Sequence, residues 1–212
     1  ITEETKDRLR ALQDYWQGKT LQDEVLANLP DINRLAEKQG VLHRGGISMS
    51  GDGHIIPNYD FVLEVGYGGI AKIAREHLDN DLNLTQEQRD FYEAVIITMN
   101  AALKYIKRFS VLAAEKAKTE TDAKRKKELE DLSAMFSHLM EGKARSFHEA
   151  VEAVYLTHVL MMIESNGHSF SFGRFDQYIY PYYKKDIEAG VITKEKALEL
   201  ITHFFLMTNS LN

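Results

Sequence analysis

ESNGHSFSFGRFDQYIYPYY, residues Glu164 to Tyr183, is the most informative stretch of this chain. Asn166, Gly167, His168 and Ser169 follow directly on an apolar helical run. Gly173, Arg174, Asp176 and Gln177 come next, ahead of an aromatic cluster. The polar groups are too dense, and their order too particular, for a plain helix or strand. A segment that leaves a buried helix and at once presents amide, imidazole, hydroxyl, guanidinium and carboxylate is what a polar site on a packed scaffold requires.

Working outward, the preceding stretch RSFHEAVEAVYLTHVLMMIES opens with Ser146 and Glu149 in a capping-box pattern. Val151, Val154, Tyr155, Val159, Met162 and Ile163 make this helix apolar over most of its circumference, which predicts burial. On the other side, Arg174 to Ala189 reads as a helix with a break near Pro181. Thr193 caps a final helix ending in ITHFFLMTN. Phe204, Phe205, Leu206 and Met207 in succession expect apolar partners on more than one side, as a larger protein would provide.

Toward the N-terminus, Thr85 with Gln88 opens a long helix through Phe91, Val95, Met99, Leu103 and Ile106. Lys116 to Leu129 is highly charged and reads as solvent-facing. Asn58 caps a helix through Tyr59, Leu63 and Ile70 to Leu78. Gly66, Gly68 and Gly69 inside it each cost about 1 kcal/mol relative to alanine, so close packing or a backbone approach is expected there. Gly40 to Asn58 has five glycines and no helical period, which predicts a loop or short extended structure. Thr5 to Gln17 is a first amphipathic helix with Leu9, Leu12 and Trp16 on one face. A second begins at Thr20, and Pro30 ends or restarts the pattern before Ile32, Leu35 and Ala36. No repeat or linker interrupts the chain, so residues 1–212 read as one segment of a single domain.

The bulk numbers exclude several classes. The chain has 212 residues, 44% hydrophobic and 27% charged, as in ordinary globular proteins. A formal net charge of −6 argues against nucleic acid or an anionic membrane as partner. No apolar run approaches the roughly 20 residues of a membrane span, and the start is charged and helical, unlike a signal peptide. There is no cysteine, which removes disulfides, thiolate metal sites and cysteine nucleophiles. A cytoplasmic location is the expectation. No HExxH, Walker or dinucleotide motif is present. His148 and His158, ten apart, do not share a helix face, so no metal site is expected.

SNGHSFSFGRFDQYIYPYY resembles the signature stretch of glycyl radical enzymes, the pyruvate formate-lyase-like superfamily, in its glycerol and diol dehydratase branch. GHIIPNYDFVLEVGYGGI, LQDYWQGKTLQDEV and RSFHEAVEAVYLTHVLMMIESNGH are similar to that family's earlier substrate-site loop, the segment before it and the approach helix. The resemblance covers nearly the whole chain. It implies a mainly α-helical segment of an α/β ten-stranded barrel enzyme, with few strands in this portion. Such enzymes are several times longer. They need a thiyl cysteine in a Gly-Cys-x-Glu motif and a radical-bearing glycine near the C-terminus. This sequence holds neither, so it is expected to be an N-terminal-half portion, inactive alone and binding no cofactor itself. The glycyl radical would sit in the missing part, installed by an S-adenosylmethionine iron–sulfur activase, and the full-length enzyme would be a homodimer.

By the same resemblance, His54, His168 and Ser169 would contact a small hydroxylated substrate, with His54 and His168 also catalytic. The residue types suit the chemistry. An imidazole near neutral pKa can donate to a departing hydroxyl, and its protonated form can deliver the proton. A serine hydroxyl can both donate and accept. Each assignment has a plainer rival: His54 as a surface turn residue, His168 as a helix cap, Ser169 as a local turn former. Arg174 and Asp176 read as a buried ion pair or loop brace. Tyr178, Tyr180, Tyr182 and Tyr183 read as packing residues with satisfied hydroxyls, and Lys124 to Lys127 as a solvated helix face. The expected function is dehydration of a small diol or polyol. The alternatives are another reaction of the same superfamily, such as C–N cleavage, decarboxylation or formate acetyltransferase-like chemistry, or a non-catalytic helical interaction protein.

Overall fold

Most of the helices begin where side-chain oxygens satisfy their first free amides, though those opening after Pro30 and Arg174 have no side-chain cap. The computed structural model describes residues 1–43, 54–165 (Ser165 by its backbone only) and 169–211. Along these residues run α1 (Glu3–Trp16), α2 (Leu21–Asn28), α3 (Asp31–Lys38), α4 (Tyr59–Asn80), α5 (Gln86–Thr119), α6 (Ala123–Glu141), α7 (Phe147–Ser165), α8 (Phe175–Glu188) and α9 (Lys194–Thr208). Thr85 and Gln88 form the expected capping box, and Thr20 with Asp23 forms another. Asn58 and Thr193 cap α4 and α9. At α7 only half of the expected box forms. Ser146 Oγ accepts from the Glu149 amide at 3.2 Å, but the Glu149 carboxylate takes the Arg145 amide at 2.6 Å. The Arg145 guanidinium, 2.6 Å from the same carboxylate, holds it there.

The chain is mainly α-helical, as its periodicity indicated. Among the described residues β pairing amounts to one isolated parallel bridge, Ile55 to Phe170. The structure divides into two compact units, Ile1–Ile55 with Met162–Ser171, and Ile56–Met161 with Phe172–Asn212. In the first, α1 to α3 bury no residue. The apolar face at Leu9, Leu12 and Trp16 is more than half exposed.

In the second unit α4, α5 and α6 pack on one another. Tyr59, Leu63, Ile106, Leu139 and Val154 are fully buried among them and α7. The glycines of α4 explain this packing. Gly66 has φ +75°, a kink that L side chains rarely adopt, and a Cβ there would lie 2.4 Å from the Gly142 carbonyl oxygen. A Cβ on Gly68 would lie 2.9 Å from the Met140 carbonyl oxygen. The end of α6 thus presses its backbone against α4. The kink also frees the Leu63 carbonyl, which accepts instead from the Ala144 amide at 3.0 Å and the Tyr182 hydroxyl at 3.4 Å.

α7 is buried along its first three turns and emerges at its end, where Ile163 is 63% exposed. Burial there is therefore less complete than its all-round apolar sequence suggests. α8 runs unbroken through Pro181. Pro181 and Gln177 are both exposed, which puts the lost helical hydrogen bond on the outer side of the helix rather than in the core. On α9, Phe204 is buried while Phe205, Leu206 and Met207 stay about half exposed. Phe204 stacks on Phe175, with ring centres 4.8 Å apart.

Glu152 on α7 gives a prediction. Burial pushes its carboxyl up to about 7, and its only ion-pair partner among the described residues is His148, at 3.9 Å. A carboxyl pKa raised in the folded state favours folding while protonated. That contribution is full below the ordinary carboxylate range and is lost as pH rises through 7. His148, held below its usual pKa by burial and then by Lys196, has the opposite slope. The informative quantity is therefore the difference between parent and Glu152→Gln. In urea unfolding, the parent is expected to lose on the order of 2 kcal/mol relative to the variant between about pH 5 and pH 8.

Candidate functional site

Two stretches far apart in sequence meet at the bridge in the first unit. Ile55 pairs with Phe170 in parallel, and the Ser171 amide donates to the Ile55 carbonyl at 3.1 Å. Parallel strands advance in the same direction, and His54 and Ser169 are the residues immediately before the two bridge partners. His54 is exposed and Ser169 half-buried. Ser169 has φ 53°, making it the one non-glycine residue with positive φ among those described. A side chain held in that region costs about 1–3 kcal/mol, and such strain concentrates where function fixes a geometry. Of the three expected site residues, His54 and Ser169 each precede a partner of the bridge, and His168 lies outside the described residues.

The second unit holds the continuation of both stretches. Gly173 has φ +60°, and a Cβ on it would lie 2.8 Å from Ile56 Cγ2, so a glycine lets the chain after Ser169 run close to the chain after His54. Phe172 lies against Tyr59 with ring centres 6.1 Å apart and against His158 at 4.3 Å. Tyr59 stacks on Tyr178 at 5.5 Å, and the Tyr178 hydroxyl donates to the Phe172 carbonyl at 2.9 Å. The Tyr59 hydroxyl is 3.3 Å from His158 Nδ1. Eight residues along α4, the Tyr67 hydroxyl meets Thr157 Oγ1 at 2.7 Å and donates to the Ala153 carbonyl at 3.2 Å. Burial lowers the pKa of His158 and raises the phenols of Tyr59, Tyr67 and Tyr178. All four side chains are therefore neutral near pH 7.

One expectation is corrected and another holds in part. Arg174 and Asp176 are exposed and form no buried ion pair; the Arg174 backbone carbonyl instead starts α8 by accepting from Gln177 and Tyr178. Tyr180 is 56% exposed, while Tyr178 and Tyr182 satisfy their hydroxyls on backbone carbonyls and Tyr183 packs edge-on against Phe147. Sequence reasoning missed the Tyr59–His158 and Tyr67–Thr157 contacts. The signal was the polar pair Thr157–His158 inside an otherwise apolar helix, two groups that must find partners once buried.

Comparison with known proteins identifies the family and the fold. The model of the family described as pyruvate formate lyase-like matches residues 1–212. (2S)-3-sulfopropanediol dehydratase of Klebsiella oxytoca is 34% identical over 98% of this chain and 26% of its own length. A glycerol-bound B12-independent glycerol dehydratase from Clostridium butyricum superposes with a TM-score of 0.82 and 37% identity, over 96% of this chain and 26% of that one. A glycyl radical enzyme from Archaeoglobus fulgidus superposes with a TM-score of 0.77 and 30% identity, over 95% and 26%. The chain spans about a quarter of the length of each of these proteins.

Proposed function

The chain belongs to the pyruvate formate lyase-like family, and on that premise we propose that it is part of a longer glycyl radical dehydratase that removes water from a small diol or polyol. The single observation carrying this reading is the parallel bridge from Ile55 to Phe170, which joins the stretch that follows His54 to the stretch that follows Ser169. Two of the similar proteins are dehydratases, one of sulfopropanediol and one with glycerol bound. Glycerol carries hydroxyls on neighbouring carbons, the pattern that paired donors can grip.

Hydrogen abstraction from the hydroxyl-bearing carbon is the chemistry the radical supplies. This chain has no cysteine, so its part is to bind, orient and deliver a proton. Ser169 Oγ holds one hydroxyl, accepting its proton or donating to its oxygen. His54 and His168 donate to the neighbouring hydroxyl, and the protonated imidazole lets it depart as water. The diol loses one water and becomes an aldehyde, with no net oxidation. Residues 1–212 form one segment of the enzyme's domain, the radical is installed by an S-adenosylmethionine iron–sulfur activase, and the working enzyme is a cytoplasmic homodimer.

The test is the full-length enzyme, activated without oxygen and supplied with glycerol, propane-1,2-diol and 3-sulfopropanediol in turn. Stoichiometric aldehyde from at least one of them is the expected result. Release of an amine or carbon dioxide from other substrates, with no aldehyde from these, would move the protein to another reaction of its family.

A further inference from the structure

The buried pair Tyr59 and His158 belongs to no step described above, yet it is close in sequence to both site stretches. Tyr59 follows His54 by five residues, His158 precedes Ser169 by eleven, and Phe172 follows Ser169 by three. These three side chains touch one another. Phe172 lies on both rings, and the Tyr59 hydroxyl meets His158 Nδ1 at 3.3 Å. Tyr59 is 2% exposed and His158 6%. Beside them Gly173 runs against Ile56.

We infer that Tyr59 and His158 are positioning residues for the proposed diol site, their buried hydrogen bond fixing the chain that follows Ile55 against the chain that follows Ser171 and, through chain continuity, the bridge itself. The inference rests on the function proposed above. Its physical basis is directional. Apolar packing alone tolerates small slides, whereas a hydrogen bond between a phenol and one ring nitrogen fixes the rotation of both side chains. A shift of about 1 Å at a site costs on the order of 100-fold in rate, so a contact of this kind acts through geometry.

Tyr59→Phe keeps the ring and its stacking on Phe172 and Tyr178 and removes only the hydroxyl. In the full-length activated enzyme, KM for glycerol or propane-1,2-diol is expected to rise about tenfold. The glycyl radical signal in EPR and the melting temperature should stay as in the parent. His158→Asn, whose amide falls near the Nδ1 position, should recover most of the affinity that His158→Leu loses. A second arm is independent of turnover. Amide exchange at Ser171, whose N–H is held by the Ile55 carbonyl, should quicken about tenfold in Tyr59→Phe, with α5 and α6 unchanged. Unchanged Ser171 exchange and unchanged KM would overturn the inference, as would a general loss of protection with a lowered melting temperature, which marks plain core packing. If the parent turns over neither diol while Ser171 exchange still responds, the functional reading fails and the positioning role stands.

Discussion

Full-length enzyme carrying His54→Ala is expected to lose 10²- to 10³-fold in kcat/KM on its diol, the range typical for removing a positioned acid–base group. Its folding should be untouched, because His54 is exposed and outside the core. Steady-state kinetics over pH, with EPR quantification of the radical, checks both halves of the statement. Ser169→Ala is expected to act more on KM, by about tenfold, since a hydroxyl that only binds contributes similarly to ground and transition states. A His54→Ala enzyme within threefold of the parent would return His54 to its plain reading as a turn residue in a glycine-rich loop.

The largest expected effect on stability comes from Gly66→Ala. The new Cβ would lie 2.4 Å from the Gly142 carbonyl oxygen and 2.7 Å from its carbon. Both are backbone atoms at the end of α6, so no side-chain rotation relieves the contact. The φ of +75° adds about 1–2 kcal/mol for any residue with a Cβ. Overpacking adds typically 1–3 kcal/mol, and any displacement of α6 also breaks the bond between the Ala144 amide and the freed Leu63 carbonyl. A loss of about 3–5 kcal/mol is expected in denaturant unfolding. Gly190→Ala is the control. Its φ is +66°, but nothing lies within 4 Å of the added carbon, so it should lose only the conformational part, about 1 kcal/mol. Equal losses in the two variants would mean that the α4–α6 backbone contact is unimportant.

What the sequence made legible were features written locally. Thr85 with Gln88, Asn58 and Thr193 mark helix starts because a cap needs only residues three apart. The cost of three glycines in α4 pointed to a close backbone approach, and Gly142 and Met140 supply it. The polar motif from Asn166 onward, by its resemblance to a family, named His54 as its distant partner, and the bridge at Ile55 joins the two stretches. The illegible remainder depends on contacts distant in sequence. The kink at Gly66 is decided by what packs on it. Glu149 turns to Arg145 rather than Ser146 because a guanidinium outcompetes a neutral amide for a carboxylate. The Tyr59–His158 pair spans 99 positions, beyond any helical period. Pro181 looked like a break because the rule concerns a lost hydrogen bond, and only the structure shows that Pro181 and Gln177 lie on the exposed side of the helix.

The bridge between Ile55 and Phe170 has a further consequence, in the order of events when the chain folds. Its two residues are about 115 positions apart, and closing a flexible loop of that length costs about 4 kcal/mol in chain entropy. A lone bridge returns about 1 kcal/mol per hydrogen bond and cannot close the loop unaided. α5 and α6, joined by the short turn at residues 120–122, meet at little entropic expense and draw the distant ends toward each other. The helical hairpin therefore forms early and the two bridged stretches come together late. During refolding, helical circular dichroism should recover before protection of the Ser171 amide, so a newly made molecule has its helical scaffold in place before the two bridged stretches are joined.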